Sequence, residues 1–243
     1  MIKRTVDIIF ALSGLIILSP ILITVAIIVF LQDFHSPFYI APRVGMNRKI
    51  FQMVKLRSMI VAADISGVDS TASDDERITW IGHLIRKIKL DEITQLWNVV
   101  IGNMSLVGPR PNVERDVAIY TDIELGLLNV RPGITDLSSI VFSDEGSILK
   151  GSEDPDLDYN QLIRPWKSRL GLLYIKNQSL WLDVKLIFLT IISIISREKA
   201  LNAIHKILQK LSSDKKLIEI VKRKSSLSPY PPPGSDKVVT SRN

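Results

Sequence analysis

The chain has 243 residues, 46% of them hydrophobic, with a formal charge of +6, three histidines and no cysteine. That length allows one catalytic domain plus appendages. The missing cysteines exclude disulfides and thiolate metal sites, and three histidines argue against a histidine-built zinc centre. A basic balance suits phosphorylated substrates, anionic lipid or nucleic acid. The apolar N-terminal run directs that balance toward lipid and phosphate, and away from nucleic acid.

From Val6 to Leu31 the one charge is Asp7, a run long enough to cross a bilayer. A cleaved signal has an apolar core of about 7–15 residues followed by a small-residue cleavage site; this run is longer, and no clear site follows it. Ser19 and Pro20 stand near its middle, where proline removes a backbone hydrogen bond and kinks a helix. Lys3 and Arg4 precede the run, and Arg43, Arg48 and Lys49 follow it. Cations at both ends favour placing both on the cytoplasmic face. Two topologies follow: a re-entrant helix-hairpin over residues 1–36 bent at Ser19 and Pro20, and a kinked helix that spans once. The physical chemistry of the sequence leaves both open.

From Pro42 to Met59 the text reads as turn and strand, with a short strand at Ile50–Leu56. Residues 62–73 are small and polar, and read as a mobile loop. Asp74 is expected to cap a helix whose apolar face is Ile78, Ile81, Leu84, Ile85 and Ile88. Asp74, Asp75 and Glu76 read as capping groups, not metal ligands, and His83 as structural. The next helix starts near Asp91, with Ile93, Leu96, Trp97, Val100 and Ile101 at helical spacing, and Gly102–Asn103 ends it. Trp97 is assigned to the core. A helix is expected over 114–128, a Pro-Gly turn with β-branched residues over 130–142, and a helix over 159–176 broken at Pro165. Residues 180–196 carry Asp183 and Lys185 and read as a core or interfacial helix. Residues 201–224 form a basic amphipathic pattern, suited to anionic lipid or to an ordinary surface. From 225 to 243 serine, proline and charge predict a disordered tail. The fold class is α/β, helix-dominated with a small sheet, with a catalytic domain over 37–200 and interfacial amphipathic helices.

Asp91 and Glu92 open a helix just after Arg86, Lys87 and Lys89. Acidic residues there ordinarily cap N–H groups and oppose the helix dipole. The cationic entrance adds a second reading, because a helix N-terminus beside arginine and lysine binds phosphate. A carboxylate held there can attack phosphorus, and its neighbour can bind Mg2+ together with substrate phosphates. Arg110, between Pro109 and Pro111, starts from a constrained backbone and offers a planar fork to phosphate. Lys55 and Arg57 alternate on the expected strand and share a face. Arg131, before Pro132 and Gly133, sits on another rigid basic turn.

These stretches together resemble the bacterial sugar transferases, the monotopic phosphoglycosyl transferases that act on polyprenyl phosphate. The resemblance runs from Lys3 to about Ser196. It rests on Lys3–Asp7, Ser19-Pro20, Arg43-Val44-Gly45, Lys55–Met59, Leu90-Asp91-Glu92, Gln95–Val99, Met104–Pro111 and Arg131–Thr135. It implies a re-entrant N-terminal helix bent at Ser19-Pro20 and a catalytic domain on the cytoplasmic face of a bacterial inner membrane. It also implies transfer of a phosphosugar from a UDP-sugar to undecaprenyl phosphate, with release of UMP, as the first membrane step in making an O-antigen, capsule or exopolysaccharide. Asp91 would be the nucleophile, with Glu92 supporting Mg2+ or the proton balance and Arg86 holding phosphate. Lys55, Arg57, Arg110 and Arg131 would contact the nucleotide sugar or the acceptor phosphate. The alternatives are a glycosyltransferase that releases UDP and a non-catalytic membrane-anchored binding module. Thr94, Asn103 and Asp136 depart from the family pattern, and a following Gly-Arg segment is missing. Residues 124–128 and 136–150 are therefore where a different sugar pocket would be shaped. The sugar, the pathway and the oligomeric state, a dimer among the options, stay open.

Overall fold

A computed structural model describes residues 2–212 and 214–241. The chain opens with α1 (Ile2–Asp33), a single helix of 32 residues, about 48 Å if straight. It stays helical through Pro20. Proline at 20 deprives the Ile16 carbonyl of its backbone donor, and the Ser19 hydroxyl donates to that carbonyl at 2.8 Å. The Ser-Pro pair thus carries its own repair.

Both ends of α1 are fastened to the same body. Near the N-terminus, Lys3 pairs with Asp183 at 2.5 Å and donates to the Val107 carbonyl. Asp7 accepts from the Ser105 hydroxyl at 2.8 Å. At the far end, Arg57 grips both oxygens of Asp33 at 2.6 Å and donates to the Ser36 carbonyl. Between these anchors Ala11 is buried in the main core. Val25, Ala26 and Val29 pack with Leu56, Ile81, Ile85 and Leu90 in a second cluster.

The strands form two separate ladders. β1 (Phe38–Val44) and β2 (Ile50–Leu56) are an antiparallel hairpin that sets Tyr39 opposite Lys55. The expected strand is therefore present, but it ends at Leu56, one residue short of Arg57. Next come α2 (Trp80–Lys87), α3 (Leu90–Ile93) and α4 (Leu96–Val100). β3 (Ser105–Val107) pairs in parallel with β4 (Gly133–Thr135), which follows α5 (Glu114–Ala118). Gly108 and Gly133 are required where these backbones meet. A Cβ on Gly133 would lie 2.0 Å from the Gly108 nitrogen, and one on Gly108 would lie 2.6 Å from the Arg131 carbonyl oxygen.

The C-terminal half is helical: α6 (Leu137–Val141), α7 (Glu145–Ile148), α8 (Pro155–Asp158), α9 (Arg164–Lys176), α10 (Leu180–Ile195), α11 (Arg197–Leu211) and α12 (Lys215–Ile220). α8 runs into α9 through one wide turn, Tyr159–Ile163. That places Pro165 in the first turn of α9, where a missing N–H costs nothing, so Pro165 breaks no helix. At the centre, Arg164 forms a buried ion pair with Glu124, which also accepts from the Ser168 hydroxyl.

Several expectations are corrected. The helix expected from Asp74 starts at Trp80, where the Thr79 hydroxyl accepts from the Gly82 N–H; Asp75 pairs instead with Arg77. The 91–101 helix breaks at Thr94–Gln95, and the 114–128 helix breaks after Ala118. Trp97 is not core: it is 52% exposed. The amphipathic stretch 201–224 splits into α11 and α12, and its apolar residues Leu201, Ile204, Leu208, Leu217 and Val221 are buried in the main core. That face is spent on the protein and not on lipid.

The tail is also not loose. Tyr230 stacks on Trp166 with ring centroids 4.3 Å apart, and Arg169 and Lys216 approach the Tyr230 ring at 4.9 and 4.0 Å. Gln161 donates to the Val239 carbonyl at 2.7 Å, and Arg169 to that of Pro231 at 3.0 Å. Proline-rich chain offers carbonyls without demanding as many acceptors, so side chains on α9 and the turn before it can hold it by its oxygens.

Candidate active site

The site is a cavity of about 770 Å³, a volume suited to a nucleotide-sized ligand. β2, α2, α3 and the Pro109–Pro111 turn furnish one side; the segment after α6 and the turn before α9 furnish the other. Lys89 at a positive φ of 57° starts α3 abruptly after α2. This brings Asp91 and Glu92 to the cavity along with Arg86.

Asp91 is only 9% exposed, and what remains faces the cavity. The Lys55 ammonium is 4.0 Å from its Oδ2. Glu92 Oε1 accepts from the Arg110 guanidinium at 2.9 Å, and Arg110 also donates to the Ile134 carbonyl. Rigid Pro109 and Pro111 together with β4 therefore aim Arg110 at the dyad.

The electrostatics separate the two carboxyls. Burial pushes the Asp91 carboxyl up, against the pull of Lys55, and the Glu92 charge pushes it further. Burial acts on Glu92 the same way, but Arg110, Lys89 and Lys55 overcome it and hold Glu92 at about 2. Lys55 is pulled down by burial although Asp91 opposes this. The result is an Asp91 carboxyl that holds its proton more readily than an ordinary aspartate, beside a firmly ionised Glu92, in a cationic pocket.

The family model described as bacterial sugar transferase matches residues 1–197. The chain belongs to the bacterial sugar transferase family. It is 34% identical over 209 residues to the exopolysaccharide production protein PSS of Rhizobium leguminosarum bv. phaseoli, a match covering 82% of this chain and 97% of that relative. It is 35% identical over 215 residues to the UDP-galactose-lipid carrier transferase of Erwinia amylovora, covering 82% of this chain and 41% of the relative. It is 32% identical over 202 residues to a UDP-N-acetylgalactosamine-undecaprenyl-phosphate N-acetylgalactosaminephosphotransferase of Aeromonas hydrophila, covering 80% and 44%. The chain thus spans less than half the length of these last two. The sugar transferase match contains the dyad and its cations; α11 beyond Arg197, α12 and the tail lie outside it.

In this chain, Asp91, Glu92, Lys55, Arg86 and Arg110 are brought together around one cavity. Two basic residues are not. Arg57 reaches the cavity edge, but its guanidinium is spent on Asp33 and backbone carbonyls. Arg131 lies outside the cavity, exposed, with its Nε donating to the Gly102 carbonyl. His83, read as structural, is exposed at the cavity edge. Glu145 also lines the cavity, within the 136–150 stretch where the sequence placed a different sugar pocket. Arg43, Tyr159 and Lys167 line it too and were missed as site residues. Arg43 had a local signal, since it lies on the same hairpin as Lys55; Tyr159 and Lys167 come from segments far from the dyad in sequence.

Among the described residues no group of three or more acidic or histidine side chains is placed to hold a metal ion. Mg2+ does not need one, since it binds through one or two carboxylates plus substrate phosphates and water. Two adjacent carboxylates facing the cavity fit that mode.

Proposed function

We propose that this chain transfers a phosphosugar from a UDP-sugar to undecaprenyl phosphate. The observation that carries the reading is the Asp91 carboxylate, raised in basicity and open to a nucleotide-sized cavity among Lys55, Arg86 and Arg110. One Asp91 oxygen attacks the phosphorus that bears the sugar, and the bond to the other phosphate breaks. UMP leaves, and the phosphosugar stays esterified to Asp91. An oxygen of the lipid phosphate then attacks the same phosphorus and returns the carboxylate. Arg110 and Arg86 neutralise the oxygens between which charge moves. Asp91 and Glu92 would hold Mg2+, which supplies charge neutralisation on the diphosphate.

The re-entrant reading of α1 is supported by its anchors: Lys3 and Asp33, at opposite ends, are both held by the body that carries the cavity. A helix crossing a bilayer could not fasten both ends to one side. Exposed apolar side chains on elements touching α1, including Trp80 and Leu84 of α2, Trp97 of α4 and Phe188 of α10, suit an interface where tryptophan is favoured. The catalytic body then rests on the cytoplasmic face of the bacterial inner membrane.

Incubation with a panel of UDP-sugars, Mg2+ and undecaprenyl phosphate tests the reaction. UMP together with a lipid-linked diphosphosugar is the expected product. Release of UDP would identify a transferase that moves the sugar alone, and turnover of none would leave only a binding module.

A further inference from the structure

The cavity has a second charged cluster, distinct from the dyad. Glu145, at the start of α7, forms an ion pair with Lys167 of α9, and the Lys167 ammonium sits 5.1 Å above the centre of the Tyr159 ring. All three line the cavity. The charges that act on Asp91 are those of Lys55, Glu92, Arg86 and Arg110, whereas those acting on Tyr159 are Glu145, Asp116, Arg164 and Arg110. Arg110 is common to both sets.

The wall carrying Glu145 is braced from both sides. Asp144 is gripped by Arg197 at 2.8 Å and by Arg223 at 3.2 Å, and the Arg223 guanidinium covers the Phe142 ring. Opposite, the Ser73 N–H donates to the Gly146 carbonyl at 2.8 Å. Arg197 closes the family match and Arg223 lies beyond it, so the wall is held from both inside and outside the matched segment. A braced wall with a carboxylate and an ammonium side by side is the chemistry that recognises a ring hydroxyl, which donates and accepts at once. Tyr159 is buried and one face of its ring is already covered by the Lys167 ammonium, so it offers little for a nucleobase to stack on.

We propose that Glu145 and Lys167 form the subsite that reads the hydroxyls of the donor's sugar ring. This deepens the proposed function and rests on it for the identity of the donor. The test is binding, not turnover, so the two can fail separately. The full chain in detergent micelles is titrated with UDP-glucose, UDP-galactose and UDP, as wild type, Glu145→Gln and Lys167→Met. Affinity for the better UDP-sugar is expected to fall about tenfold in each variant, as for loss of one charged hydrogen bond, while UDP binding stays within about twofold. The double variant Glu145→Lys with Lys167→Glu keeps the ion pair. It should unfold thermally like wild type and still bind the UDP-sugar weakly. Equal losses for UDP and UDP-sugar would assign the pair to the nucleotide and overturn the proposal, as would unchanged UDP-sugar affinity or wild-type affinity in the double variant. Weakened UDP-sugar binding in the variants, together with a wild-type protein that releases no UMP, would sink the reaction and keep the subsite.

Discussion

Asp91 draws its character from a conflict between burial and charge. Burial raises its carboxyl and Lys55 at 4.0 Å opposes that rise. Asp91→Asn keeps the shape and removes the proposed nucleophile, so UMP release should fall by at least about a thousandfold, about 4 kcal/mol in barrier, with the thermal unfolding midpoint unchanged. The ionised form attacks, and its folded pKa is raised. Activity should therefore be lost on the acid side at a higher pH than the ordinary aspartate value of about 3.9, seen in the pH profile of kcat/KM. Arg110 keeps Glu92 ionised down to about 2. Arg110→Gln removes the charge that acts on both carboxyls, and so should move that acid limb to still higher pH. An unmoved limb would mean that Arg110 does not set the proton balance of the dyad.

At the scale of elements, the site depends on contacts that place short pieces accurately. Arg110 is aimed by β4, which lies against Gly108 with no room for a methyl group at Gly133. Gly133→Ala should force these backbones apart, costing about 1–3 kcal/mol in stability and more in kcat than in KM. The Arg164–Glu124 pair, 1% and 0% exposed at the side chain, ties α9 to the segment before β4. Removing one partner strands a buried charge, so Glu124→Ala should cost about 3–5 kcal/mol in denaturant unfolding. The sequence located α10 as a long apolar run and the hairpin strand β2 by an imperfect alternation of apolar and polar positions. Periodicity failed between 74 and 129, where the chain is folded by caps and ion pairs. There Asp75 turns to Arg77, Thr79 caps α2, and Lys89 adopts a left-handed conformation. A heptad-scale pattern does not register such local events. Trp97 illustrates the limit: helical spacing puts it on the apolar stripe, but only packing against α1 shows which part of the stripe is covered.

For the whole molecule, the decisive relation is between α1 and the body. Because the chain contains no cysteine, single cysteines placed at Ile2 and at Pro37 can be labelled without background. In sealed inverted vesicles both should react with a membrane-impermeant maleimide. Reaction at one end only would show a spanning helix. Deleting residues 225–243 should expose Trp166, lower the thermal midpoint by several degrees, and leave UMP release measurable, since the tail holds α9 from outside the cavity.

The sequence alone determined the paired carboxylates, their cationic approach and the long apolar helix. Those depend on residue identities that lie within a few positions of one another. Only the tertiary structure decided that both ends of α1 meet one body, that Arg57 serves Asp33, and that Arg131 faces away. It also decided that the tail is docked and that Glu145 and Lys167 share the cavity with Asp91. Each of these is a contact between residues far apart in the chain, chosen by burial and ion pairing across the whole fold, and no local pattern carries that information.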